Sequence, residues 1–367
     1  MAYTTIDDPS AHFQTKLYTG NSTNNTAITN DGNSDLQPDW IWAKSRTNAH
    51  YHDLRDSSRG IDERLVSNTN DAESTKDQSY VSFDSDGFTL GDDTDGGGSA
   101  LNTINTSSNN YVAWQWKANG GTTTTNDASA TGVGTIDSVY QANTTAGFSI
   151  VTHTGSGSAG NIAHGLGAVP EWIVTKNRTD NGQSWANYHA SVGAEYYLEL
   201  DTTDAQETAS SVWGDTTPSS TTFRVGGANG KNNASSKNYV SYCFTPIQGY
   251  SKFGSYTGNG NADGPFIYTG FKPTWLLIKN TTAGEGWFLH DATVDDATAT
   301  GNPVERRFQV NESQAEVGTT NAFDFVSNGF KLRTDTGSHN NSGDSFIYMA
   351  FAEHPFVSSE GVPTTAR

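Results

Sequence analysis

The sequence has little cysteine, little positive charge and no long apolar run, and each shortage excludes a class of protein. The single cysteine, Cys243, excludes an intramolecular disulfide and a zinc site built on several thiolates. No apolar run approaches the roughly 20 residues of a membrane-spanning helix. With 21 Lys and Arg against 40 Asp and Glu, the net charge of -19 disfavours nucleic acid and anionic membrane surfaces as partners.

The beginning of the chain also lacks a feature. Residues 1–8, MAYTTIDD, hold neither a basic region nor an apolar stretch, so they predict no secretory signal peptide. Together with the lone cysteine, this favours a protein that folds in a reducing cytoplasm.

Aromatic residues and glycine, by contrast, are plentiful. The chain holds 9 Trp, 15 Tyr and 17 Phe, and disordered chains are poor in such rings. We therefore expect a folded protein with a ring-rich core. The 38 glycines indicate many tight turns.

Three anchors recur in the same order and at nearly equal spacing, which indicates an internal repeat. The first is a ring followed by Thr-Gly: Tyr18-Thr19-Gly20, His153-Thr154-Gly155 and Tyr256-Thr257-Gly258. The second combines Pro, Trp and Lys: Pro38, Trp40 and Lys44, then Pro170, Trp172 and Lys176, then Pro273, Trp275 and Lys279. The third is an alternating apolar segment that begins at Tyr111, Tyr239 and Phe346.

Each copy has the pattern of a β-sandwich. Short runs rich in Trp, Tyr, Phe, Val and Ile alternate with clusters of turn-forming residues, and copies of about 100 residues suit sandwich and jelly-roll domains. The sequence therefore predicts an all-β protein of three tandem antiparallel, jelly-roll-like β-sandwich repeats. The expected divisions are an arm (1–12), repeat 1 (13–118), a linker (119–146), repeat 2 (147–248), repeat 3 (249–356) and a tail (357–367).

The two connections between the copies differ in composition. Residues 119–146 are rich in Gly, Thr and Asn, which predicts a flexible linker and a separately oriented first copy. The connection at 246–250 leaves almost no slack, so the second and third copies should hold a fixed orientation.

Residues that recur in every copy are best explained by packing. Trp40, Trp172 and Trp275 are expected in the core, and the recurring lysines at strand ends are expected to be structural. His153 stands where the other copies have Tyr, and Cys243 falls on a predicted core position. Three less regular rings near loops are instead candidates for binding glycans or neighbouring subunits: Trp185, Trp213 and Trp287.

One acidic loop is a candidate metal site. Asp92, Asp93 and Asp95 lie among glycines, and hard cations such as Ca²⁺ prefer carboxylate and carbonyl oxygens from a tightly turning loop. The loop lacks the EF-hand layout, so a solvated acidic hairpin is the favoured interpretation and no cofactor is expected. No nucleophile elbow, metalloprotease motif or phosphate-binding loop is present, and we expect no enzymatic activity.

Several segments together resemble a repeat family of virion structural proteins from tailed phages of aquatic bacteria. They are residues 254–260, 270–275, 327–332, 348–356 and 161–170, and the opening 2–6 that leads to Phe13. The resemblance covers nearly the whole chain. It implies a tail-fibre or appendage protein located on the virion, and it carries over no catalytic residue.

Three functions stay open at this point. The first is a fibre or appendage protein that contacts host surface glycans, and the second is a capsid decoration protein. The third, least favoured, is a polysaccharide-degrading tailspike. We expect other virion proteins as partners and a homo-oligomer, either a trimer or a ring, because symmetric assembly multiplies weak contacts.

Overall fold

A computed structural model describes residues 2–94, 103–296 and 302–363 of the chain. Within these ranges the protein is all-β, as predicted, and every ladder between its strands is antiparallel. None of the helices in this part of the chain is long and apolar enough to cross a lipid bilayer. They are a 3₁₀ turn (Pro9–Ala11), α1 (Ala128–Thr131), α2 (Ser210–Trp213), α3 (Ala292–Asp296) and α4 (Gly337–Asn340).

The first part of the chain forms one large and one small sheet. Its strands are β1 (Phe13–Thr19), β2 (Thr26–Thr29), β3 (Trp40–Ser45), β4 (Asp53–Asp56), β5 (Gly60–Leu65), β6 (Ser74–Thr75), β7 (Tyr80–Asp84), β8 (Gly87–Leu90) and β9 (Asn110–Trp116). The first large sheet has the order β1-β9-β3-β4-β5-β6, and the small sheet has the order β2-β8-β7.

The middle part of the chain again forms a large and a small sheet. Its strands are β10 (Thr124–Asn126), β11 (Ser138–Asn143), β12 (Phe148–Thr154), β13 (Gly160–Ala163), β14 (Trp172–Asn177), β15 (Ala186–His189), β16 (Tyr196–Glu199), β17 (Glu207–Thr208), β18 (Thr222–Val225) and β19 (Asn238–Phe244). The second large sheet has the order β10-β11-β12-β19-β14-β15-β16-β17, and β13 pairs with β18.

The last part of the chain forms the third large sheet. Its strands are β20 (Ser251–Thr257), β21 (Phe266–Tyr268), β22 (Phe271–Asn280), β23 (Trp287–Asp291), β24 (Val304–Gln309), β25 (Val317–Val326), β26 (Gly329–Leu332) and β27 (Ser345–Pro355). Their order is β20-β27-β22-β23-β24-β25-β26-β21. Strands β25, β26 and β21 lie at one end of this sheet and are hydrogen-bonded to it, so they do not form a separate small sheet.

The sequence anchors occupy corresponding places in the three large sheets. In each, the strand of the closing apolar segment lies between the strand that leads to Thr-Gly and the strand that contains the recurring Trp. The registers agree as well, because each recurring Trp pairs with the last ring of the central strand. These pairs are Trp40 with Trp116, Trp172 with Phe244, and Trp275 with Phe351.

The inner faces of the three large sheets pack into one apolar cluster, which we call the shared core. At its centre Trp116, Phe244 and Phe351 contact one another, with ring centroids 5.6 to 6.4 Å apart. Trp40 stacks on Tyr242 of the second sheet at 4.3 Å. The expectation of a separately oriented first copy is therefore wrong, because the first sheet buries its inner face against the other two.

Each large sheet also buries its outer face, in a cluster of its own. Strand β22 shows why its sequence is apolar throughout. Trp275 and Leu277 point into the shared core, whereas Leu276 and Ile278 point into the outer cluster with Phe330. The strand is therefore covered on both sides, and Trp275 is fully buried as expected.

The junctions between the large sheets repeat one hydrogen-bond pattern. In each junction a buried ring nitrogen of one sheet meets a main-chain oxygen of another. The pairs are Trp185 Nε1 with Val66 O at 2.8 Å, Trp287 Nε1 with Glu199 O at 2.7 Å, and His52 Nε2 with Gln309 O at 3.2 Å. The second sheet thus contacts the first, the third contacts the second, and the first contacts the third.

Residues 119–146, for which composition predicts a flexible linker, instead contain β10, α1 and β11. Strand β11 pairs along its whole length with β12, and β10 pairs with β11. Gln141 of β11 also donates to the hydroxyls of Ser57 and Ser58, at 2.8 and 2.7 Å. Composition misleads here because Ser, Thr and Asn are compatible with an added strand once a free sheet edge supplies hydrogen-bond partners.

The ring-Thr-Gly anchor marks a close approach of two backbone segments. A Cβ atom on Gly258 would lie 2.1 Å from the carbonyl oxygen of Asn341, so only glycine fits there. The corresponding distances are 2.3 Å at Gly20 and 2.2 Å at Gly155. Beside each glycine a fully buried asparagine side chain accepts the next main-chain N–H: Asn105 from Asn21, Asn233 from Ser156 and Asn340 from Asn259.

The ring of the same anchor stacks on the first ring of the central strand in all three sheets. His153 stacks on Tyr239 at 5.0 Å, as Tyr256 stacks on Phe346 at 5.0 Å. The Nε2 atom of His153 lies 3.0 Å from Asn232 O, and the Tyr256 hydroxyl donates to the corresponding carbonyl, that of His339. This confirms that His153 replaces a tyrosine in the interior. Cys243 is also buried, as its position predicts.

Candidate binding face

The three rings predicted to bind ligands lie inside the protein. Trp185 and Trp287 are fully buried in the shared core, and Trp213 is 2% exposed in the second outer cluster. Proximity to loops in the sequence misled here, because β15, which follows Trp185, and β23, which begins at Trp287, place these rings inside the junctions. The assignment of Trp185, Trp213 and Trp287 as binding residues is therefore wrong.

The acidic loop does not assemble a metal site from the residues that are described. Asp93 is buried and accepts from the Ser79 hydroxyl at 2.8 Å and from the main-chain N–H groups of Ile104 and Asn105 at 2.6 and 3.1 Å. Burial raises the pKa of Asp93 to about 6. Asp92 accepts from the Thr94 hydroxyl at 3.0 Å, and Asp95 lies outside the described residues. No cluster of three metal-ligating side chains occurs among residues 2–94, 103–296 and 302–363.

The recurring lysines are buried and bound to main-chain oxygens. Lys44 Nζ lies 3.1 Å from Ser313 O, Lys176 Nζ lies 2.5 Å from Gln183 O, and Lys279 Nζ lies 2.9 Å from Thr203 O. Burial lowers their pKa values, to about 7 for Lys44 and about 8 for the other two. These contacts agree with a structural role at the strand ends.

Two rings do reach the surface, on the short strand β21. Phe266 is 48% exposed and Tyr268 is 47% exposed, while Ile267 between them points into the third outer cluster. Residues two apart on a strand share a face, so the two rings lie side by side. The other large apolar side chains exposed to this degree in the described residues are isolated valines: Val81, Val169, Val317 and Val362.

Tyr268 is held in place from two sides. Its hydroxyl lies 3.1 Å from that of Tyr3, which donates to Gly270 O at 2.8 Å. Lys252 places Nζ 5.3 Å from the ring centroid and bonds the Tyr268 carbonyl at 2.7 Å. Gly270 has φ of +88°, and a Cβ there would lie 2.8 Å from the Tyr3 hydroxyl. The ring is therefore positioned before any ligand arrives.

Paired charges surround the rings. On the ladder, Phe266 lies opposite Lys331, and Lys331 lies opposite Asp324, so the three side chains share the outward face. Lys331 forms an ion pair with Asp263 at 2.8 Å, and Arg333 forms one with Asp324 at 2.5 Å. The bond from Lys331 lowers the pKa of Asp263. We call this outward surface of β21, β26 and β25 the binding face.

This arrangement suits a polyhydroxylated ligand. Aromatic rings offer a flat apolar surface to the C–H face of a sugar, and the charged groups beside them offer strong hydrogen bonds to hydroxyls. The corresponding strands lack the rings. At the corresponding positions β2 has Ala27 and Thr29, and β13 has Asn161 and the buried Ala163. Comparison of the three copies at this strand was the signal in the sequence that could have found Phe266 and Tyr268.

A buried hydrogen-bond chain in the third sheet was also missed by sequence reasoning. Ser338 Oγ lies 2.7 Å from His339 Nδ1, and His339 Nε2 lies 3.0 Å from His290 Nε2. Burial lowers the pKa of His339 to about 3 and that of His290 well below its ordinary value. So weak a base does not activate a serine near neutral pH, and the chain is better explained as interior packing.

Comparison with known proteins gives a family but no activity. A family model described as a domain of unknown function (DUF7483) matches residues 8–355, and the protein belongs to this family. No curated protein matches the chain, and no solved structure does. The function therefore has to be argued from the geometry.

Proposed function

We propose that the chain is a non-enzymatic structural protein of a phage particle, of the tail-fibre or appendage type, which contacts glycans through the binding face. The observation that carries the glycan contact is the pair of half-exposed rings, Phe266 and Tyr268, inside a rim of paired charges. The virion location is supported by the resemblance of the sequence to phage appendage proteins.

We also interpret the chain as three tandem β-sandwich repeats around a pseudo-threefold axis. The corresponding strand orders and the cyclic contacts at the junctions support this interpretation. The central trio of Trp116, Phe244 and Phe351 would lie on the axis. In such a body the shared core supplies stability, and the strands at the surface of each copy can differ.

The glycan contact can be tested on a microarray of bacterial surface polysaccharides. We expect the purified chain to bind at least one polysaccharide and the double variant Phe266→Ala, Tyr268→Ala to lose that binding, because the stacking surface is removed. Val169→Ala is the matched control, since Val169 is 46% exposed and lies outside the binding face. Equal binding by the double variant, or no binding by the unaltered chain, would contradict the proposed contact.

A capsid decoration protein is the second candidate. The three large sheets form one body around the shared core, which suits a unit attached to a shell. In either role the partners would be other virion proteins and further copies of the chain in a trimer or a ring.

The two locations can be separated by labelling. Antibody against the chain, applied to purified particles and viewed by electron microscopy, should mark the tail if the appendage role is correct and the head if the decoration role is correct. Unlabelled particles would contradict both. Light scattering with and without Ca²⁺ tests the assembly, and a monomer in both conditions would argue against a homo-oligomer.

A further inference from the structure

In the second sheet, the edge of β12 that faces away from β19 is covered by another strand of the chain. Strand β11 pairs with β12 over residues 138–143, and it lies in the junction between the second and first sheets. Gln141 reaches across this junction to Ser57 and Ser58. The chain itself thus shows what occupies this position when it is filled.

The corresponding edge in the third sheet, along β20, is open. Strand β20 pairs with β27 on one side, and no strand of the described residues pairs with its other side. Gly258 donates to Asp344 O at the end of this ladder. Because bonded and non-bonded pairs alternate in an antiparallel ladder, Gly254 and Tyr256 face β27, whereas Phe253 and Ser255 turn their N–H and C=O groups outward.

A groove begins beside this open edge and crosses the ends of β20, β27 and β22. It has a volume of about 370 Å³, and Ser191, Val192 and Gln206, from connections of the second sheet, line its other side. The groove lies in the junction between the third and second sheets. Ser191 corresponds to Ser58 of the first sheet, because each lies two residues after the partner of the recurring Trp: His189 pairs with Trp172, and Asp56 pairs with Trp40. The Ser191 side of the groove therefore corresponds to the side of the neighbouring junction where Gln141 of β11 contacts Ser58.

We propose that the open edge of β20 accepts one extended strand of a partner polypeptide, in the way that β12 accepts β11. The strand would pair with Phe253 and Ser255 and extend the third sheet. This interaction surface is separate from the binding face and does not depend on the glycan proposal.

The lining indicates the chemistry of the strand. None of the residues around the groove carries a charge, and β11, with the sequence SVYQAN, carries none either. A neutral strand of alternating small polar and apolar residues therefore fits. The groove beside β1 is smaller, at about 230 Å³, and it includes Asp8, Asp31 and Glu353, so it suits such a strand less well.

A second copy of the chain is a poorer fit for the same edge. It would have to bring one of its own edge strands to β20, such as β1, β6, β10, β17, β20 or β21, together with the folded body that carries this strand. Residues of the second sheet's connections stand beside β20 and would meet that body. A single strand avoids this obstruction, because it enters the groove without a folded body beside it.

The probe is a fluorescent synthetic peptide of residues 136–145, which contains β11. Fluorescence anisotropy should show saturable binding to the full chain and to Ser255→Ala, which keeps the outward N–H group. Ser255→Pro removes that N–H and leaves the ladder to β27 intact. The peptide should bind this variant about tenfold more weakly, which is the effect of about one lost backbone hydrogen bond. A peptide with Gln141→Pro should weaken binding similarly while the protein stays unaltered.

Hydrogen exchange gives a second measurement. The amides of Phe253 and Ser255 should exchange faster than those of Ile150 and Thr152, which face β11, and the peptide should slow the first pair. Absence of saturable binding, or equal binding by Ser255→Pro and by the Gln141→Pro peptide, would overturn the proposal. So would a dimer in sedimentation that Ser255→Pro dissociates and the peptide does not enter, because a second copy would then occupy the edge.

Discussion

The shared core and the surface strands of the three copies follow different rules. On the inner faces of the large sheets, corresponding positions keep large rings, as at the centre of the shared core. At the surface, one strand position holds Ala27 on β2, Asn161 on β13 and Phe266 on β21. The difference shows that mutual packing restricts the inner faces, whereas the outer strands can change without loss of the core.

Even the polar positions of the shared core change together. Asp56 accepts the Tyr242 hydroxyl of the second sheet at 2.7 Å. Asp291, at the corresponding place in the third sheet, accepts Trp114 Nε1 of the first sheet at 2.8 Å. Each buried carboxylate thus meets a donor from a neighbouring sheet, which offsets the cost of removing it from water.

The third junction lacks such a donor, and its acid is absent too. Met349 stands where the other central strands have Tyr242 and Trp114. The position of the acid is taken by His189, whose Nε2 lies 3.4 Å from Tyr348 O. In this junction a histidine beside a main-chain oxygen thus stands in place of the buried acid and its donor.

The largest test of this comparison is Trp275→Ala. We expect the free energy of unfolding to fall by about 3–5 kcal/mol, because a large ring is removed from a close-packed site. Since the core is shared, fluorescence and circular dichroism should report one transition for the whole chain. Phe266→Ala in the same sheet is the control. Two separate transitions, of which the substitution shifts only one, would show that the sheets unfold independently.

A smaller loss is expected from Tyr242→Phe, which removes the hydroxyl that Asp56 accepts. Asp56 keeps its ion pair with Arg59 at 2.5 Å, so the loss should be about 1.5–3 kcal/mol, as for other hydrogen bonds to charged groups. Urea denaturation measures the change. Tyr268→Phe, whose hydroxyl lies at the surface, should have little effect, and equal losses in the two variants would contradict a special role of the junction.

The interior histidines make the protein sensitive to acid. Burial lowers the pKa of His153 to about 4, so the folded state keeps it neutral while the unfolded chain takes up a proton below about pH 6.5. Stability from this residue is present above pH 6.5 and is lost as the pH falls toward 4. His153→Tyr introduces the residue found at Tyr18 and Tyr256. It should reduce the loss between pH 7.5 and pH 5 by about 2 kcal/mol.

Denaturant titrations of both proteins at the two pH values measure this difference. Other groups that titrate in this range contribute equally to both proteins and cancel. If the substituted protein lost as much stability as the unaltered one, the histidine would not be the neutral interior group that its contacts indicate.

The smallest effect on stability is expected from substitutions in the binding face. Phe266→Ala combined with Tyr268→Ala should change the free energy of unfolding by less than about 1 kcal/mol, because both rings are half exposed. A much larger loss would mean that these rings serve packing rather than binding, and it would remove the basis of the binding face.

The sequence by itself determined the strand class, the anchors and their correspondence. Alternation with a period of two marks which residues of a strand are buried, and the recurrence of Trp275 or of Gly258 in each copy marks positions that packing restricts. These signals are local, so they can be detected without knowledge of the neighbouring copy.

Only the tertiary structure decided which surfaces meet. A strand pattern states that a face is buried but not what buries it, so a core shared by three copies and a core within each copy have the same local signature. For that reason Trp185 and Trp287 could be mistaken for surface rings, and residues 119–146 for a free linker. Both errors concern contacts between distant parts of the chain, which depend on how the three sheets pack around Trp116, Phe244 and Phe351.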